Sequence, residues 1–166
     1  MNDSLYELIV VRKPRTTDML IRILMIFATI VVSYISLIFA GSLFILAAAG
    51  MIAITVFLVF PRLNVEYEYS LLNHYLEISE IYNKEKRRKK IDINIQEAEI
   101  IAPFDSPRLK HYHAEKTLNF TSGSSDVSIY SIIIPFNQTT TQILVEADAK
   151  MLQRMKGWMG QKMFLD

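Results

Sequence analysis

The sequence predicts a membrane α-helical hairpin joined to a mainly-β domain that ends in a helix, an α+β arrangement. Two observations carry this. From Ile23 to Pro61 the chain runs 39 residues without one Asp, Glu, Lys, Arg or His. From Asn64 onward the hydrophobic period becomes two, and a helical period returns only near Asp148. The 51% hydrophobic content of the 166 residues therefore averages two different materials.

A single helix over the apolar run would extend roughly 57 Å, about twice the hydrocarbon thickness of a bilayer. Broken at Gly41-Ser42, the run gives spans at 19–40 and 43–60, each near the length one crossing needs, within a hairpin of residues 19–61. A secretory signal would be shorter and closer to the start of the chain. Arg12, Lys13, Arg15 and Arg22 precede the apolar run, Arg62 follows it, and the turn carries no cation. The positive-inside rule then expects a two-span protein of the cell membrane with both termini cytoplasmic. Residues 1–18 form a cytoplasmic or interfacial segment. There Asp3 or Ser4 would cap a short helix with Leu5, Leu8 and Ile9 on one side, an extended arm being the alternative, and Pro14 ends either.

Thr29, Ser33, Ser36, Ser42 and Thr55 are expected to bond the preceding turn or the neighbouring helix. The run from Ile23 to Pro61 holds no charge, so it shows no transport path of its own. Ala47, Ala48, Ala49, Gly50 and Ala53 permit close approach of backbones, within the hairpin or between copies in a homo-oligomer.

Residues 62–166 form the cytoplasmic domain. Val65, Tyr67, Tyr69 and Leu71 alternate with Glu66, Glu68 and Ser70 in a half-buried strand, and Asn73-His74 turns into a second strand, Tyr75 to Tyr82. Asn83 to Lys86 turns into a third, Arg87 to Ile95; a fourth covers Glu97 to Ala102, and a fifth centres on Lys116 to Thr121. Ser122 to Asp126 forms a turn, Val127 to Phe136 the sixth strand and Thr140 to Val145 the seventh. Asp148 caps a helix over 148–159 with Met151, Leu152, Met155, Trp158 and Met159 on one face, ended by Gly157 or Gly160.

Seven antiparallel strands followed by an amphipathic helix is the element order of a pleckstrin-homology (PH)-like barrel, in which the helix closes one end. The chain also resembles a family of bacterial membrane proteins with two N-terminal transmembrane helices and a C-terminal PH-like domain. The resemblance rests on Met1-Asn2-Asp3 with Val11-Arg12-Lys13, Val65 to Tyr69, Ile100-Ile101-Ala102-Pro103, Asn119 to Gly123, and Val145 to Asp148 with Lys150-Met151-Leu152. That family has no assigned activity, so the resemblance implies a fold and no catalytic residue.

The main functional candidate is the basic run of Lys84, Lys86, Arg87, Arg88, Lys89 and Lys90, interrupted only by Glu85. Near an anionic membrane it would attract phospholipid; in water it would be a solvated turn and a charged edge strand that discourages strand pairing. Phosphoinositide-binding PH domains place cations in the first hairpin, whereas Leu72 to Tyr75 has none. On a strand His111 and His113 would share one face, with His74 as a third zinc ligand, but with no Cys and no supporting carboxylate pattern surface histidines in a loop are the better reading. Ser122 to Asp126 would serve as an anion nest or as a plain turn.

A net charge of +1 gives no pull toward nucleic acid, and the aromatic residues alternate into a core. Zero Cys excludes disulfides and thiol chemistry. No catalytic, metal or cofactor motif is present, so the expectation is a non-enzymatic binding or scaffold module that presents its domain to a protein partner or to anionic phospholipid. The alternatives are an accessory subunit of a transporter or channel and a membrane-bound enzyme.

Overall fold

The computed structural model describes residues 5–39 and 41–165. Asp3 and Ser4 as caps, the Met1-Asn2-Asp3 signature and Ala40 as the end of the first span lie outside the described residues. The chain divides into two compact units, one of residues 13–65 with 82–86, the other holding almost all of the strands and the last helix.

In the first unit, α1 spans Thr16–Phe39 and a second helical stretch runs from Ser42 to Leu63. Both are long and apolar enough to cross a membrane, and only 6% of each apolar window is buried. Asp18, three residues past the cap position, turns its carboxylate back to the Arg15 amide at 2.9 Å, which satisfies one orphan donor of the first turn. The second stretch comprises α2 (Ser42–Ala53), a π-helical segment Ile54–Val59 and α3 (Phe60–Leu63). Sequence places its end at Phe60, before Pro61, yet the helix continues. Pro61 has no amide hydrogen to give, and the backbone before it widens, so that the Phe60 amide reaches back five residues to the Thr55 carbonyl.

Hydroxyls join the two helices. Thr29 and Thr55 stand 3.2 Å apart while also bonding the Met25 and Met51 carbonyls, and Ser36 Oγ lies 2.6 Å from the Phe44 carbonyl. Phe39 and Phe44 stack at 5.0 Å beside Gly41. Ala48 is half-buried, whereas Ala47, Ala49, Gly50 and Ala53 face outward.

The second unit contains two four-stranded sheets. The first has the order β1 (Tyr6–Val11), β2 (Val65–Leu72), β3 (Tyr75–Tyr82), β4 (Lys86–Asn94). The second is built from β5 (Ile100–Pro103), β6 (Lys116–Asn119), β7 (Ile129–Phe136) and β8 (Thr139–Glu146), in the order β5-β7-β8-β6. Their buried faces supply Tyr69, Leu71, Leu76, Ile78, Ile132, Ile134 and Ile143, all nearly inaccessible. Helix α4 (Ala149–Met159) adds Met151, Met155 and Met159 from one stripe, while Leu152 and Trp158 are half-exposed. Asp148 caps it as expected, accepting the Met151 amide at 2.8 Å, and Gly160, at φ +55°, ends it.

Three expectations are corrected. Two sheets replace the closed seven-strand barrel, and among the described residues there are eight strands. The additional strand is β1, which sequence places in a short helix or an extended arm without a partner strand. It pairs antiparallel with β2, Tyr6 opposite Leu71 through Val11 opposite Glu66. Its β-branched run Ile9-Val10-Val11 suits a strand, but the partner lies more than 50 residues away across the apolar helices, out of reach of any local pattern. The third concerns Ser122 to Asp126, which does not close a hairpin. β6 runs parallel to β8, Lys116 opposite Thr141, so the segment crosses over to a strand that is not its neighbour. The apolar helices are therefore an insertion in the first connection of the β domain.

Candidate functional site

The basic run is divided by the fold. Arg87 Nε lies 2.8 Å from Glu68 and its terminal nitrogen 3.2 Å from Glu77. Lys89 meets Glu77 at 2.9 Å and Asp92 at 2.8 Å, and Lys90 meets Glu80 at 2.9 Å. Hydrogen bonds donated to the Asp92 and Glu77 carboxylates hold the Lys89 ammonium above the usual lysine value. β4 is the last strand in its sheet, so these paired cations are the charged edge that discourages a further strand from adding. Among the described residues no carboxylate pairs with Lys84, Lys86 or Arg88, all of which are exposed.

The turn that carries Lys84 and Lys86 belongs to the helical unit. Asn83 and Lys84 both adopt left-handed backbone, φ 50° and 60°, and the Asn83 amide donates to the Asn64 carbonyl at 2.9 Å. Asn64 follows the second helical stretch directly, and its side chain accepts from Arg22 of α1 at 2.6 Å. One asparagine thus ties the polar ends of both helices to the β3–β4 turn. In sequence Lys84 stands more than 20 residues past the end of the apolar run; in the fold it returns to the end of the helices.

The remaining candidates are absorbed by the structure. The Ser122 amide and hydroxyl donate to the buried Glu146 carboxylate at 2.6 and 2.7 Å, so the supposed anion nest already holds an internal anion. Beside it, the Tyr69 hydroxyl donates to the Phe120 carbonyl at 2.7 Å, and burial pushes its phenol well above the ordinary range. His111 and His113 are exposed, His74 is half-buried against Tyr75, and among the described residues no three His, Asp or Glu form a metal-binding group.

A shallow cleft of about 780 Å³ opens beside β5, lined by Ile100, Ser106, Arg108, His111, Tyr112 and Phe164. Sequence reasoning missed it, because Phe164 and Ile100 meet only when the apolar tail docks on β5. That docking is made by a parallel bridge between Met163 and Ile101 and by the Phe164 amide donating to the Ile101 carbonyl at 2.8 Å. The Arg108 guanidinium covers the Phe164 ring at 4.1 Å. The cleft combines apolar Ile100 and the Tyr112 and Phe164 rings with polar Ser106, Arg108 and His111.

No curated protein and no solved structure matches the chain. A family model described as "Bacterial PH-like domain (DUF6106)" matches residues 2–165, a span that includes β1, the apolar helices, both sheets and α4. The domain fold, two antiparallel-rich sheets with a C-terminal helix, agrees with that description, and the chain belongs to the bacterial PH-like domain family.

Proposed function

We propose that this protein is a membrane-anchored binding or scaffold module, whose two apolar helices span the membrane as a hairpin and hold a PH-like domain at the cytoplasmic face. The observation that carries the reading is the pairing of β1 with β2. These strands flank the helices in sequence, so a folded domain requires both helix ends to emerge on one side. The cations Arg12, Lys13, Arg15, Arg22 and Arg62 at those ends favour the cytoplasmic side. The domain would present its surface to a protein partner or to anionic phospholipid. PH-like domains generally bind rather than catalyse, and the family match supports that role.

The test is retention in the membrane through a carbonate wash, with tags at both termini labelled only after the cytoplasmic face is opened. Release by carbonate, or termini on opposite faces, would overturn the proposal. Affinity purification from mild detergent examines the binding role, and a monomer without partner or lipid preference would argue against it.

The outward placement of Ala47, Ala49, Gly50 and Ala53 supports a second reading, an accessory subunit packed against another membrane protein. Cysteines at those positions should then cross-link to a different chain.

A further inference from the structure

We propose that the β3–β4 turn and the polar ends of the helices form a seat for the phosphate of anionic phospholipids, with Lys84 and Lys86 as its contacting cations. The inference rests on the membrane reading above and narrows it to one part of the basic run.

The helical unit, residues 13–65 with 82–86, carries six cations, Lys13, Arg15, Arg22, Arg62, Lys84 and Lys86, against two carboxylates, Asp18 and Glu85. Asp18 is buried and turned to the Arg15 amide, so it offers little counter-charge to the exterior. Lys13, Arg15, Arg62, Lys84 and Lys86 are exposed. Lys13 and Arg15 precede α1, Arg62 lies in the last turn before Asn64, and the Asn83–Asn64 hydrogen bond fixes the lysine turn at that same end. Arg22 acts as a positioning residue, because its 2.6 Å bond orients Asn64, whose carbonyl holds the turn. The rest of the run differs in kind: Arg87, Lys89 and Lys90 are engaged by Glu68, Glu77, Asp92 and Glu80.

Cations held near an anionic lipid surface are attracted to its headgroups.

The experiment uses the full chain in lipid nanodiscs of phosphatidylcholine with a minority of phosphatidylglycerol. Spin-labelled versions of the two lipids report which one associates with the protein. The wild-type chain should prefer phosphatidylglycerol, and Lys84→Gln with Lys86→Gln should reduce that preference by about threefold or more. Arg22→Gln should reduce it partly, by loosening the turn, whereas Lys89→Gln with Lys90→Gln should leave it in place. Equal association of both lipids with the wild-type chain overturns the seat while leaving the anchor standing, as does an equal loss in the two lysine pairs. Failure to enter nanodiscs, with release from membranes by carbonate, overturns the anchor itself and the seat with it.

Discussion

The hydroxyl of Tyr6 hydrogen-bonds the carboxylate of Asp148, 142 positions further along the chain. Tyr6 begins the strand that precedes the apolar helices, and Asp148 caps the helix that follows the last strand. Lys150 and Arg154 stand over the Tyr6 ring at 5.3 and 5.1 Å. The first strand and the last helix of the domain are therefore joined by a hydrogen bond and two cation–ring contacts.

Tyr6→Phe should keep the ring contacts and lose the bond, lowering stability by about 1 kcal/mol in thermal unfolding followed by near-ultraviolet circular dichroism. Asp148→Ala should cost about as much through the lost cap, and the double variant should cost less than the sum of the two. Additive losses would mean that the residues act separately.

The same pair sets two pH limits. Burial and the Asp148 contact push the Tyr6 phenol up to about 12, so the folded chain holds that proton more tightly than the unfolded one. Its contribution is complete below pH 10 and is lost as pH rises through about 12. Burial alone would raise Asp148, but the Tyr6 hydroxyl, the Met151 amide and Lys150 together hold it below 3.8. Its contribution is present above that value and is lost as pH falls through the lower folded value. Tyr6→Phe should flatten the alkaline limb of a stability–pH profile.

A chain beginning at Asn64 lacks β1 and leaves the edge of β2 uncovered, so it should aggregate or remain partly unfolded. Joining residues 1–12 to 64–166 through a short Gly/Ser linker, in place of the helices, should yield a monomer with dispersed amide resonances. An equally folded domain without β1 would show that the strand is dispensable.

Glu146→Ala should strand the Ser122 amide and hydroxyl and destabilise the domain by about 2 kcal/mol, whereas Glu146→Gln should lose roughly half as much because its amide oxygen still accepts both bonds. Denaturant midpoints of the two variants test the order. In the apolar hairpin, Thr55→Val should remove the contact with Thr29 and cost about 0.6 kcal/mol, a modest shift in a sodium dodecyl sulfate unfolding titration.

Several parts of this protein follow from local chemistry. The two helices are set by charge-free runs, the strands β2, β3, β7 and β8 by alternation, and α4 by Asp148 at one end and Gly160 at the other. The candidate site was only half legible. The six cations stand together in sequence, but carboxylates brought by β2 and β3 decide that Arg87 and Lys89 are paired, and the Asn64 carbonyl decides where Lys84 sits. The strand character of Tyr6 to Val11 and the parallel entry of β6 beside β8 were equally beyond local reach. Hydrophobic period and capping act between residues a few positions apart, so sequence alone settles them. Strand partners, ion pairs and the return of a turn to a distant asparagine are chosen among groups that meet only once the chain has folded, and that choice belongs to the tertiary structure.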